Sequence, residues 1–241
     1  MRFAILQTAF IIYWYNRFMY RDLVFNLGRD AIRYLVQYYE IKKIHIPYYL
    51  CDVIRHTLVE ENCKPLFYHI DDNFYPAKDF PKDDFILYPN YWGTNGKNVK
   101  KLAYIYPKLI VDNAHAYYDK PSGFACFNTG HKFGYKSSVL WIKDNNKNDY
   151  LTQIDNQAEE RKTEFLKIHN KYKDTNLLKP DLNSIPFCYP FLAETTKDAD
   201  KLVKILKEEG KTIYRFWNPL PKSFNEYKFY SRLVPIPVLP H

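Results

Sequence analysis

Apolar and polar positions along this chain follow two rhythms, one helical and one extended, that take turns. In residues 29–39, Ala31, Ile32, Leu35, Val36 and Tyr39 fall on one face at helical spacing, which predicts an amphipathic helix. A short apolar run at 43–47 predicts a strand, and 51–62 a second helix. Strands are predicted at 64–70 and 85–88. After Trp92-Gly93-Thr94-Asn95-Gly96, a turn by composition, 97–106 reads as a helix. Strands at 109–112, 124–128 and 139–142 complete the series. This alternation implies an α/β fold: a three-layer sandwich whose mainly parallel sheet is covered by helices on both faces. Ligands of such sheets sit outside the carboxyl ends of the strands, and Asp112 ends one of them.

The second half has a different texture. Residues 155–173 form a charged helix with few large apolar side chains, expected to be a solvent-facing connector. A polar, proline-containing linker follows at 177–185. From Pro186 the pattern restarts as strand 187–194, helix 197–209 stopped by Gly210, and strand 212–216. The expected division is a large domain at 1–150, a connector at 151–185 and a small α/β lobe at 186–241. No closing helix is expected after Pro235-Ile236-Pro237-Val238.

Composition narrows the classes. The 241 residues, 46% hydrophobic with 23 Tyr and 17 Phe, suffice for one substantial domain plus a small lobe. Lys and Arg number 35 and Asp and Glu 27, so the net charge is 35 − 27 = +8. The lysines are dispersed, without an arginine cluster or a nucleic-acid module. A solvated basic surface is therefore expected, with attraction to phosphorylated or nucleotide-linked small molecules second, and nucleic acid is not an expected partner. Cys51, Cys63, Cys126 and Cys188 lack CxxC spacing, which fits reduced thiols in a cytoplasmic protein and no metal site. The apolar run at 3–15 contains Gln7 and Thr8, has no small-residue cleavage site and is too short to cross a bilayer. It reads as a buried first helix or strand, not as a signal or membrane segment.

Candidate chemistry concentrates in two stretches. Val111-Asp112-Asn113-Ala114-His115-Ala116 ends an apolar strand, and Lys132 follows Asp112 by twenty positions within Phe127-Asn128-Thr129-Gly130-His131-Lys132-Phe133. A carboxylate, a small Ala, a His and a Lys suit pyridoxal 5'-phosphate. That cofactor needs an amine to form a Schiff base with its aldehyde and an acid against its pyridine nitrogen. Asp112 also reads as a turn-capping acid, and Lys136 is a rival amine. Gly28, Arg29 and Asp30 open a helix, where free N–H groups suit a phosphate; in the other reading Asp30 only caps the helix.

Six blocks in order carry a family resemblance. Asn26-Leu27-Gly28-Arg29-Asp30-Ala31-Ile32, Ile46-Pro47-Tyr48-Tyr49-Leu50-Cys51, Lys64-Pro65-Leu66-Phe67-Tyr68-His69-Ile70-Asp71, Asn90-Tyr91-Trp92-Gly93 and the two stretches above resemble the DegT/DnrJ/EryC1/StrS aminotransferases. The resemblance runs from about residue 20 to 142 and resumes weakly at 187–217.

The resemblance implies a fold-type-I pyridoxal-phosphate enzyme of reduced size. It would be a homodimer with its sites near the subunit boundary, moving an amino group from an amino acid such as glutamate to a nucleotide-linked keto-sugar for polysaccharide or glycan assembly. It makes Lys132 the Schiff-base and proton-moving residue, Asp112 the partner of the pyridinium nitrogen and His115 the partner of the phenolic oxygen. Gly28, Arg29, Asp30 and Thr129 would hold the phosphate, and Ala114 would lie against the ring. Cys51, or a shifted Tyr49, takes the place of an aromatic residue that stacks on the cofactor in many members. Tyr91, Trp92, His131 and Trp217 become candidates for the substrate pocket. The turn Gly134-Tyr135-Lys136-Ser137-Ser138 departs from the family's Gly-Gly turn, and no Gly-x-Asn-x-Arg block is present. Other pyridoxal-phosphate chemistry, or a non-catalytic relative that binds without reacting, remains a rival reading.

Overall fold

A computed structural model describes residues 20–143, 156–217 and 219–239. The reading of 3–15 as a buried element lies outside these residues. The chain enters through strand β1 (Tyr20–Phe25), then helix α1 (Gly28–Tyr38), β2 (Lys43–Pro47), α2 (Asp52–Glu60), β3 (Lys64–Tyr68) and β4 (Phe85–Pro89). A 3-10 turn at Tyr91–Gly93 leads to α3 (Gly96–Ile105), β5 (Leu109–Asp112) and β6 (Ala125–Thr129). A second 3-10 turn at His131–Phe133 precedes β7 (Ser138–Lys143).

These strands form one seven-stranded sheet in the order β1-β7-β6-β5-β4-β2-β3. All pairs are parallel except those of β7, which runs against both β6 and β1. The central strands β4 and β5 are buried almost throughout, as apolar strands covered on both faces must be. Side chains divide by parity. Leu87, Ile110, Ala125 and Phe127 pack beneath α1 and α2, whereas Ile86, Tyr88, Leu109, Val111 and Cys126 face α3 and an aromatic layer. On α1 the face Ala31, Ile32, Leu35 and Val36 is buried as its spacing predicts. Strand β1 went unpredicted; its alternating half-exposed pattern at a sheet edge carries little hydrophobic signal.

The C-terminal half corrects two expectations. Residues expected to form a solvent-facing connector form α4 (Asn156–Tyr172), whose Ala158, Phe165 and Ile168 are buried. Phe165 and Ile168 pack with Tyr189 and Phe191 of β8 (Cys188–Leu192), with Ala199 and Leu206 of α5 (Thr196–Glu208), and with Val234 and Ile236 of β9 (Leu233–Pro237). Three well-spaced apolar side chains suffice to bury a helix whose other faces are charged. The predicted strand at 212–216 is irregular; β8 instead pairs antiparallel with β9, in the tail for which no strand was predicted. A short helix α6 (Tyr227–Arg232) precedes β9. Its lead-in residue Glu226, fully buried, accepts from the Ile70 amide (2.8 Å) and pairs with His69 (3.0 Å), tying this half to the sheet domain. Among the described residues no helix is long and apolar enough to cross a membrane.

Phe165→Ala should cost about 3–5 kcal/mol of stability through the cavity it leaves. An exposed connector position would cost under about 0.5 kcal/mol. The midpoint of urea unfolding separates the two.

Candidate active site

The carboxyl ends of β4, β5 and β6 and the N-termini of α1 and α2 surround a cavity of about 530 Å³, a size usual for small-molecule sites. Register sets Asp112, the last residue of β5, between Pro89 and Phe127. A ladder of buried amides fixes the loops that follow. Asn90 donates to Asn113 (3.3 Å) and to Asp119 (2.8 Å), and Asn113 donates to Asn128 (3.1 Å). Asn128 in turn donates to the carbonyls of Tyr117 (2.8 Å) and Asp119 (2.9 Å).

Within the cavity wall lie Gly28, Arg29, Cys51, Asp112, Ala114, His115, Thr129, Lys132 and Trp217. Nine expected residues therefore converge from separate elements. Asp112 is deeply buried, and its Oδ1 accepts from the Ala114 amide at 2.8 Å. Burial pushes its carboxyl up to about 6, against the opposing pull of that amide and of Lys132.

Lys132 sits in a turn pinned on both sides. Its neighbour Phe133 is fully buried, and His131 donates from Nε2 to the Asn26 carbonyl at 2.9 Å. Among the described residues the Lys132 ammonium makes no hydrogen bond or ion pair, and it rests 5.8 Å and 5.9 Å from the ring centres of Phe187 and Phe216. Lys136 is exposed and off the cavity.

The Gly28 end is shaped for a tight approach. A Cβ at Gly28 would stand 2.6 Å from Thr129 Oγ1. That hydroxyl is buried and has no hydrogen-bond partner among the described residues. The α1 N-terminus beside it has no side-chain cap, so its free N–H groups and an unpartnered hydroxyl point to an acceptor-rich group such as phosphate.

Cys51 lies at the N-terminus of α2, its thiol pushed up chiefly by burial. Tyr49 does not shift to replace it. Tyr49 is buried in the aromatic layer, its carbonyl accepting from the Tyr91 hydroxyl at 2.8 Å.

Four expected site residues lie outside the wall. Asp30 neither lines the cavity nor caps α1; its carboxylate pairs with Arg33 at 3.2 Å. Tyr91 is core, as is Trp92. His131 is held outward by Asn26. An aromatic or imidazole beside a motif is equally useful as packing, and local sequence does not distinguish the two. Conversely Arg215 and Phe216 line the cavity unforeseen. Arg215 is fixed by the Ser231 carbonyl (2.9 Å) and by Asp200. Its neighbour Trp217 was the available signal.

Trp92 and Trp217 both have left-handed backbones, at φ +60° and +67°, each costing about 1–3 kcal/mol that the surrounding packing must hold. Gly93, at φ +72°, passes so close that an added Cβ would lie 2.1 Å from the His115 carbonyl oxygen. That backbone contact cannot rotate away. Gly93→Ala should therefore cost about 2–4 kcal/mol by strain and overlap, read from the urea midpoint.

No family model and no curated protein sequence matches the chain. Solved structures do. PseC from Helicobacter pylori, described as an aminotransferase involved in pseudoaminic acid biosynthesis, superposes with a TM-score of 0.65 at 14% identity, covering 90% of this chain and 81% of that one. A DegT DnrJ EryC1 StrS aminotransferase from Brucella abortus gives 0.65 at 13% identity, covering 90% and 80%. The chain has the fold of these aminotransferase structures. The putative sugar aminotransferase Spr1654 from Streptococcus pneumoniae shares it, with a TM-score of 0.65 at 10% identity over 90% and 81% of the two chains. The cavity described above opens at the carboxyl end of the parallel strands of that shared fold.

Proposed function

We propose that this chain is a pyridoxal-phosphate-dependent aminotransferase that carries an amino group from an amino acid, with glutamate the expected donor, to a keto-sugar. The acceptor would be nucleotide-linked and used in glycan assembly, and the enzyme a cytoplasmic homodimer. One observation carries the reading: an amine and a hydroxyl at a helix N-terminus, both unpartnered among the described residues, share one cavity with a buried carboxylate twenty residues before the amine. The fold neighbours described as sugar aminotransferases support the choice of acceptor.

The bound cofactor supplies an electron sink for the substrate's α-carbon. Asp112 holds a proton at the pyridine nitrogen, and a cation there draws the carboxyl back toward its ionised form. Gly28, Arg29 and Thr129 bind the phosphate. Ala114 lets a flat ring lie close to β5. Lys132 Nζ moves the proton off the donor's α-carbon, and Phe187 and Phe216 exclude water around that amine. Trp217 and Phe216 line the cavity and would contact an acceptor there.

The test is to incubate the protein with pyridoxal phosphate, reduce with borohydride and map the modified peptide by mass. The label is expected on Lys132. Labelling of Lys136, or none, refutes the site. The same fold also carries 8-amino-7-oxononanoate synthase from Francisella tularensis (TM-score 0.56, 16% identity), so the products formed from a keto-sugar and glutamate must be identified to establish transamination.

A further inference from the structure

His115 is enclosed by rings. Trp92 stacks on it at 5.3 Å and 22°, and Trp217 at 5.7 Å and 8°. Phe187 and Phe216 close the remaining sides at 4.7 Å and 5.8 Å. Among the described residues one polar contact enters this enclosure: the backbone N–H of Trp92 donates to His115 Nδ1 at 3.2 Å. A nitrogen that accepts from an amide carries no proton of its own, so the neutral ring must hold its hydrogen on Nε2. Among the described residues nothing bonds to Nε2, and His115 lines the cavity.

We infer that the Trp92 main chain is a positioning element that locks His115 as a permanent Nε2–H donor into the cavity, leaving Lys132 as the proton-moving group there. Three features of the 90–93 turn serve that purpose. Trp92, whose N–H reaches the ring, has a left-handed φ that the turn holds. The glycine after it allows the His115 carbonyl to pass at close range. The Asn90 carbonyl receives the Gly93 amide at 2.9 Å and closes the turn. The charged group facing the imidazole is Lys132, which, like burial, opposes a second positive charge on the ring. Where the donor points chemically, to an anionic or phenolic oxygen, rests on the proposed function; the tautomer does not.

The experiment is nitrogen-15 NMR of the ligand-free protein with labelled backbone and histidine. The His115 signals are identified by their loss in His115→Gln. A neutral ring with its proton on Nε2 is expected from about pH 5 to about pH 8, where an ordinary histidine titrates. A scalar coupling between the Trp92 amide nitrogen and Nδ1 is expected as well. Trp92→Gly keeps the amide and removes the indole, and should preserve the tautomer. A proton on Nδ1, titration within that window, or loss of the tautomer in Trp92→Gly overturns the inference.

A second readout is pyridoxal phosphate affinity by absorbance. His115→Phe should weaken it about fivefold, the worth of one neutral hydrogen bond, and His115→Gln should restore most of it. No binding to the unaltered protein would end the proposed function while leaving the NMR result to decide the tautomer.

Discussion

Lys132→Ala is expected to abolish the borohydride-fixed label and to lower transamination by on the order of 10⁴-fold, the upper end of what a positioned acid–base group supplies. Stability should change by no more than about 1 kcal/mol. The amine makes no ion pair or hydrogen bond among the described residues, and removing it forfeits two ring contacts of modest worth. Non-covalent cofactor binding should survive, because the phosphate end of the cavity is untouched. Lys136→Ala, at an exposed position outside the wall, serves as the control and should alter neither readout. Equal losses in both variants would mean that the lysines act through surface charge and not through the cavity.

Asp112→Asn is expected to stabilise the ligand-free protein while disabling the site. The carboxyl is raised from an ordinary 3.8 to about 6 in the folded state. A group raised in this way contributes its stability below the unfolded value and loses it as pH rises through the folded one. The wild type should therefore match the Asn variant below about pH 4, and fall behind it progressively up to about pH 6. Above that it should lag by about 3 kcal/mol, since each tenfold change in proton affinity between the folded and unfolded chain is worth about 1.4 kcal/mol. Asn keeps an oxygen for the Ala114 amide, so the loop should stay in place.

With pyridoxal phosphate present the order reverses. The wild type gains about 4.1 kcal/mol at a thousandfold excess over Kd, more than the about 3 kcal/mol by which it lags, and the variant, unable to hold a proton on the ring nitrogen, should gain little. Turnover should fall about 10²–10³-fold, as when one preorganised electrostatic partner is removed. Chemical unfolding across pH, with and without the cofactor, reads both halves. An Asn variant that is no more stable above pH 6 would refute the buried-acid account, and one that retains full turnover would refute the role at the ring nitrogen.

How much of this was legible beforehand depended on the range of the forces involved. Helix α1 and strands β2, β4, β5 and β6 follow from periodicity because their apolar positions answer to neighbours within the same segment. Residues Asp112, His115, Thr129 and Lys132 could be singled out because the ends of strands and the turns after them were placed correctly. The connector reading of α4 failed because its mean polarity masked Phe165 and Ile168, whose partners β8 and β9 lie far along the chain. The expected strand at 212–216 is irregular, and the 233–237 tail pairs with β8 instead, a pairing between segments about forty residues apart that local pattern does not show.

By itself, then, the sequence determined the alternation of strands and helices and the residue types able to hold an aldehyde, a ring nitrogen and a phosphate. Those properties are written in spacing and side-chain chemistry. Only the tertiary structure decided which residues face the cavity. It turned Trp92 and Tyr91 into packing, directed His131 and Asp30 elsewhere, and brought in Arg215 and Phe216 from the second half. The reason is physical. A side chain's direction depends on backbone angles such as the positive φ of Trp92 and on ladders such as Asn90–Asn113–Asn128, and both are fixed by contacts between segments remote in sequence.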